Sequence, residues 1–96
     1  MFYKSSPGRL IMIQQTVTIN RNAGLYAQPV NKLVQNASRF NADIFLTYKG
    51  RKVNVKSVLG VLSLAIPKRA EIILEASGDD EIEALQEIIQ TLEMIE

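Results

Sequence analysis

The amino-acid sequence predicts a small α+β domain, an open-faced sandwich in which helices cover one face of a sheet of four short strands. Three observations favour this fold. Apolar and polar residues alternate in four short stretches, and apolar residues recur at helical spacing in two longer ones. The length of 96 residues suits one domain, and the hydrophobic content of 47% is enough for a packed core.

The strands are predicted from alternation with a period of two residues. They cover residues 15–20, 43–48, 51–55 and 72–76. In the first strand, Val17 and Ile19 share one face. A tight hairpin turn at Lys49-Gly50 joins the second strand to the third, because glycine readily takes the positive φ that such a turn needs.

The helices are predicted from apolar residues three and four positions apart. The first runs from Ala27 to Phe40, with Pro29 in its first turn and Asn41 as a stop. A short apolar segment, 57–65, follows the third strand. The last helix begins with Asp80 and Glu83, which resemble a capping box. Its predicted apolar stripe consists of Ile82, Leu85, Ile88, Ile89 and Leu92.

The composition excludes several classes of site. The chain has no cysteine and no histidine, which removes disulfides, thiolate nucleophiles, the commonest metal ligand and the commonest general base near neutral pH. We therefore expect neither an enzyme, nor a metal centre, nor a cofactor. The absence of a long apolar run predicts no transmembrane helix, and we expect a cytoplasmic protein. Residues 1–11 are predicted to be a flexible extension, and residues 12–96 the domain.

The charges are separated along the chain. All 11 lysines and arginines lie at or before Arg69, and every acidic residue except Asp43 lies at or after Glu71. This separation is compatible with a positive patch that binds a phosphate, a nucleic acid or an acidic protein. Folding can equally interleave the two halves and neutralise the asymmetry. The three tyrosines and three phenylalanines form no cluster of the kind that binds RNA.

Two segments are candidates for a functional site. The first is the loop from Gly24 to Pro29, which enters the first helix. Free N–H groups at a helix start can bind an anion, although the loop can also be a plain connection.

The second candidate is the segment around Ser57, whose hydroxyl is placed to cap a short helix. From Val58 to Ala65 there is no charge, so part of the apolar surface formed by Val58, Leu59, Val61 and Leu62 should stay exposed, with Arg51, Lys52 and Lys56 as a charged rim. Alternatively, Gly60 lets this segment pack so closely that little is exposed.

Together, the two segments resemble the HPr family of the bacterial phosphotransferase system. In the carriers of that family the first loop reads Gly-Leu/Ile-His-Ala-Arg-Pro, and the histidine carries a phosphoryl group. Here Tyr26 stands at the histidine position and Gln28 at the arginine position. The stretch from Lys56 to Gly60 resembles the family's regulatory serine site. The resemblance implies a four-stranded antiparallel sheet with three helices on one face.

Within this family the chain is most similar to the catabolite repression subgroup, Crh, which also lacks the histidine and keeps the serine. The resemblance implies a phosphoprotein that acts in carbon catabolite repression and transcription regulation. Its implied partners are HPr kinase/phosphorylase and catabolite control protein A. Gln28 argues against the second partner, because the family's arginine helps to dock partners. The implied regulatory residue is Ser57, and the implied partner-binding residues are Tyr26, Ala27, Gln28, Val58, Leu59 and Leu62.

Other interpretations stay open. Family resemblance alone would also fit an ordinary phosphocarrier, but a chain without histidine cannot form phosphohistidine. A decayed paralogue or a basic binding module are further alternatives.

Overall fold

The computed structural model describes residues 13–19 and 24–94. The predicted extension, residues 1–11, lies outside the described residues. The four strands form one antiparallel sheet, as predicted. In this sheet the fourth strand of the chain lies between the first and the second, and the third strand pairs with the second at one edge. In chain order the elements are β1 (Ile13–Thr18), α1 (Ala27–Ala37), β2 (Asp43–Tyr48), β3 (Arg51–Asn54), α2 (Val58–Leu62), β4 (Glu71–Ser77) and α3 (Glu81–Met94).

The core lies between one face of the sheet and the three helices. Ile72, Leu74 and Ala76 alternate along β4 and are fully buried, as are Ile44 and Leu46 on β2. The residues between them point to the uncovered face, because successive side chains of a strand point to opposite sides. The alternation predicted from the sequence is therefore the alternation that builds the core. Among the described residues, no helix has the length and apolarity needed to cross a membrane.

Several predicted boundaries differ from the observed ones by one to three residues. The first strand covers Ile13–Thr18 rather than 15–20, because its ladder with β4 begins at Ile13 and ends at Thr18 opposite Glu71; Asn20 lies outside the described residues. The third strand ends at Asn54, although Val55 remains buried and donates its N–H to the carbonyl of Ile44 at 2.9 Å.

Helix α1 ends at Ala37, three residues before the predicted end at Phe40. The chain tightens there into a turn, in which Phe40 donates its N–H to the carbonyl of Ala37 at 3.2 Å. The loop after α1 also lies close to the segment between β4 and α3. A Cβ on Gly78 would lie 2.8 Å from Cα of Ala42, so the two backbones touch directly.

The predicted apolar stripe of α3 is only partly correct. Leu85, Ile88 and Leu92 are buried and Ile89 is half-buried, but Ile82 is 52% exposed. The buried face is rotated towards the side of the helix that carries Ala84 and Thr91. Thr91 is buried, and its Oγ1 accepts a hydrogen bond of 2.7 Å from the Asn36 amide, which satisfies the buried hydroxyl and links α3 to α1.

The predicted capping box of Asp80 and Glu83 was wrong. The Asp80 carboxylate reaches across to the loop before β2, where it accepts hydrogen bonds from the backbone N–H groups of Asn41, at 2.9 Å, and Ala42, at 2.8 Å. These hydrogen bonds hold the pKa of Asp80 below its ordinary value, and the bond from Asn41 has the largest effect. The positive charge of Lys56 also lowers this pKa. Asp80 therefore clamps the loop between α1 and β2 to the start of α3.

Replacing Asp80 with asparagine tests this clamp. We expect Asp80→Asn to lower the urea midpoint of unfolding at pH 7. The N–H groups of Asn41 and Ala42 each bind one carboxylate oxygen, and the asparagine amide has only one oxygen that can accept. Since folding lowers the pKa of Asp80, its contribution is present above the ordinary value of 3.8 and is lost as the pH falls through the folded-state pKa. The difference between the two proteins should therefore shrink in acid.

Asp79→Asn is the matched control, because Asp79 is the exposed neighbour of Asp80. Equal effects of the two substitutions at pH 7, or a difference for Asp80→Asn that persists unchanged in acid, would contradict the clamp.

Candidate functional site

Ser57 caps helix α2, as the sequence predicts. Its backbone is extended, with φ of −113° and ψ of 112°, and its Oγ accepts a hydrogen bond of 3.0 Å from the N–H of Gly60. The turn before it is also held, since Lys56 donates its N–H to Oδ1 of Asn54 at 2.8 Å. The Ser57 side chain nevertheless remains exposed. One hydroxyl thus supports the helix and stays accessible.

Gly60 keeps room for that hydroxyl. A Cβ at position 60 would lie 3.1 Å from Oγ of Ser57 and 3.3 Å from its Cβ, which is tighter than an ordinary contact. The absence of a side chain at Gly60 therefore lets the capping hydrogen bond form at its observed length. The sequence suggested only that Gly60 permits close packing, and its specific contact with Ser57 needed the folded turn.

The short helix divides its apolar residues between the core and the surface. Val61 is 1% exposed and belongs to the core, whereas Leu59 is 80% exposed. Val58 and Leu62 are intermediate and pack against the core. The expectation of an exposed apolar surface and the alternative of a closely packed segment are therefore each partly correct. A surface consisting of Leu59 with the outer parts of Val58 and Leu62 lies on the same turn and a half of helix as Ser57.

Two of the three expected rim cations are engaged elsewhere. Nζ of Lys56 donates to the carbonyl of Phe40 at 2.8 Å, beyond the end of α1. Lys52 lies on the uncovered face of the sheet, 3.3 Å from Oε2 of Glu75 and 4.9 Å from the centre of the Phe45 ring. The expectation that Lys52 lines the α2 surface was wrong, because the strand places it on the opposite face from its half-buried neighbour Val53.

Gly24 and Leu25, which lead into α1, make close contact with the segment after α2. Leu25 donates its N–H to the carbonyl of Ile66 at 2.9 Å. A Cβ on Gly24 would collide with that carbonyl oxygen and approach Cα of Pro67 to 2.9 Å. Gly24 is therefore required by the approach of another backbone. The sequence signal was the glycine itself, but its partner could not be identified from the sequence.

Tyr26, Ala27 and Gln28 are exposed at the start of α1. Tyr26 occupies the N-cap position without a side-chain capping bond, and its exposed fraction is 62%. Pro29 lies in the first turn, as predicted, where its missing N–H has no helical partner to lose. Helix α1 packs against α2, so this loop and Ser57 lie at the starts of two neighbouring helices.

Residues 13–94 match the protein family described as "PTS HPr component phosphorylation site". The chain belongs to the HPr family. HPr-like protein Crh of Bacillus subtilis (strain 168) is 46% identical over 77 residues, which are 80% of this chain and 91% of that relative.

Solved structures of HPr proteins agree with this assignment. Phosphocarrier protein HPr from Bacillus anthracis str. Ames gives a TM-score of 0.80 at 40% identity, with 83% of this chain and 95% of that chain covered. The crystal structure of Bacillus subtilis Crh, described as a dimer with a swapped domain, gives a TM-score of 0.69 at 42% identity. The match covers 84% of this chain and 93% of that chain. The family and the HPr-like fold expected from the sequence are confirmed.

The capping bond predicts a measurable loss of stability on removal of the Ser57 hydroxyl. Ser57→Ala should lower the free energy of unfolding by about 1 kcal/mol, because the Gly60 N–H loses its acceptor in the first turn of a very short helix. Urea unfolding followed by circular dichroism measures this change.

Ser63→Ala is the matched control. The Ser63 hydroxyl donates to the exposed carbonyl of Gly60 at 2.6 Å, and water can replace that donor. We expect a smaller loss for Ser63→Ala than for Ser57→Ala, and the opposite order would remove the capping role from Ser57.

Proposed function

We propose that this protein is a regulatory member of the HPr family, switched by phosphorylation of Ser57 and unable to carry phosphohistidine. It acts in the phosphotransferase system and in carbon catabolite repression as a binding protein rather than an enzyme. The observation that carries this proposal is the exposed hydroxyl of Ser57 at the start of α2, on the same short helix as the exposed Leu59.

The absence of histidine removes the carrier function. A phosphoryl group passed between proteins needs an acceptor that forms a labile bond, and this chain has no imidazole nitrogen. Tyr26 at the histidine position does not replace it. A phenol is a poor nucleophile at neutral pH, and its phosphate ester is too stable to be passed on readily.

Ser57 has the accessibility that a kinase substrate needs. In the transfer, Oγ of Ser57 attacks the γ-phosphorus of ATP while the bond from that phosphorus to the bridging oxygen of the β-phosphate breaks. ADP leaves, and the hydroxyl proton passes to a base of the kinase. The phosphate oxygens are stronger acceptors than the hydroxyl, so they can take over the N–H of Gly60 when the ester has formed. Phosphorylation then adds charge to the surface without removing the helix cap.

The apolar residues of α2 supply the shape that a phosphate alone lacks. Leu59 projects into solvent, and Val58 and Leu62 each expose part of their side chains beside it. A partner that covers this surface buries apolar area while an arginine pairs with the phosphate. The serine therefore acts as a switch and the leucine as an anchor.

Two partners follow from the family. HPr kinase/phosphorylase modifies the serine, and catabolite control protein A binds the phosphorylated form. Tyr26, Ala27 and Gln28 border the docking surface from the start of α1, which packs against α2. Gln28 lacks the charge of the family's arginine, so we expect it to weaken the contact with catabolite control protein A.

Incubation with HPr kinase/phosphorylase and ATP, followed by mass spectrometry, tests the switch. We expect one phosphate per chain, located on Ser57, because this hydroxyl is exposed at the family's regulatory motif. Ser57→Ala should abolish the modification. Ser63→Ala should leave it intact, and the same protein incubated with enzyme I and phosphoenolpyruvate should stay unmodified.

A phosphate found on Ser63, or none on a folded chain, would contradict the serine switch. A transferable, acid-labile phosphate acquired from enzyme I would contradict the loss of the carrier function.

A further inference from the structure

The peptide unit between Phe40 and Asn41 is bound by a charged side chain on each side. Its oxygen, the Phe40 carbonyl, accepts a hydrogen bond of 2.8 Å from Nζ of Lys56. Its N–H, which belongs to Asn41, donates to Oδ2 of Asp80 at 2.9 Å. Hydrogen bonds in such a chain polarise one another, so the cation at the oxygen strengthens the bond from the N–H to the carboxylate. This one peptide thus connects the end of α1 with the turn before α2 and with the start of α3.

The ammonium group of Lys56 is bound to a neutral oxygen rather than to a carboxylate. In the part of the chain that the structure describes, the Phe40 carbonyl is the only hydrogen-bond partner of Nζ, and no acidic side chain forms an ion pair with it. After the hydrogen bond from Asn41, which has the largest effect, the positive charge of Lys56 also lowers the pKa of Asp80. The cation and the carboxylate therefore interact across the peptide that they share.

Ser57 follows Lys56 directly and exposes its side chain at the start of α2. A phosphate on its Oγ brings about two negative charges at neutral pH. An ammonium group pairs more strongly with a charged oxygen than with a neutral carbonyl, and the flexible stem of lysine allows it to change partners. The phosphate and the Phe40 carbonyl therefore compete for one cation.

We propose that Lys56 couples phosphorylation of Ser57 to the loop between α1 and β2, residues 38–42. The phosphate draws the ammonium group away from the Phe40 carbonyl, and the hydrogen bonds from this loop to Asp80 weaken because the peptide has lost its cation. This inference rests on the proposed phosphorylation and adds a second effect to it. The switch changes the loop that the carboxylate clamps, as well as the charge beside the exposed residues of α2.

Nuclear magnetic resonance of isotope-labelled protein with phosphoserine at position 57 tests the coupling. The phosphoserine is introduced during synthesis through an expanded genetic code, so that no kinase is needed. Compared with the unmodified protein, the amide signals of Asn41 and Ala42 should shift. Hydrogen exchange of the Ala42 amide, which belongs to a buried residue, should become about two- to tenfold faster, the range expected for the loss of one hydrogen bond.

Lys56→Gln separates the effect of the lysine from the direct field of the phosphate. In this variant, exchange at Ala42 should already be faster without the phosphate, and phosphoserine should add little. Lys56→Arg keeps a cation at this position and should keep the response. Lys52→Gln is the matched control, because Lys52 pairs with Glu75 on the uncovered face of the sheet, and this variant should respond like wild type.

Unchanged amides of Asn41 and Ala42 in the phosphoserine protein, or an equal response in Lys56→Gln, would overturn the coupling. These outcomes are independent of the kinase. Failure of HPr kinase/phosphorylase to modify Ser57 would contradict the proposed function, whereas a phosphoserine protein with an undisturbed loop would contradict only the role of Lys56.

Discussion

The position of β4 in the middle of the sheet is the constraint on which the rest of the structure depends. This strand pairs with β1 on one side and with β2 on the other, and its alternate residues Ile72, Leu74 and Ala76 are fully buried. The bonds between Ile19 and residues 69–70 continue the pairing beyond the end of β1. These bonds therefore tie residues 69–70 to the end of the sheet.

Helix α2 shows how little local structure is needed to build a site on such a scaffold. Five residues are far too few for a stable isolated helix. Val61 anchors the helix in the core, and the Ser57 hydroxyl caps its first turn. With one apolar residue buried for anchorage, Leu59 is left in solvent. The accessible hydroxyl and the exposed leucine are thus two consequences of one short, capped helix.

Local patterns predicted the elements of the fold well, because the buried faces of β2 and β4 follow from alternation alone. The proline of α1 and the serine cap of α2 were predicted for the same reason, since both act within one turn of helix. The errors concern partners that lie far apart in the chain. Asp80 binds N–H groups near residue 41 rather than its own helix, and Lys52 pairs with Glu75. Sequence spacing contains no information on either pairing.

The candidate site was predicted in part for the same physical reason. The sequence indicated Ser57 and the apolar run, but not which apolar residue projects outward, because the orientation of α2 depends on its packing against α1 and β3. Leu59 and Val61 are both aliphatic, but Leu59 is exposed and Val61 is buried.

Titration calorimetry of the Ser57-phosphorylated protein with catabolite control protein A tests the central claim most directly. The phosphorylated protein should bind, the unmodified protein should not, and Leu59→Glu should weaken binding by about tenfold or more without loss of fold, because Leu59 is 80% exposed. Ile82→Glu is the control, since Ile82 is an exposed apolar residue on α3, and it should bind like wild type. Equal binding with and without the phosphate, or full affinity in phosphorylated Leu59→Glu, would contradict a serine switch that works through α2.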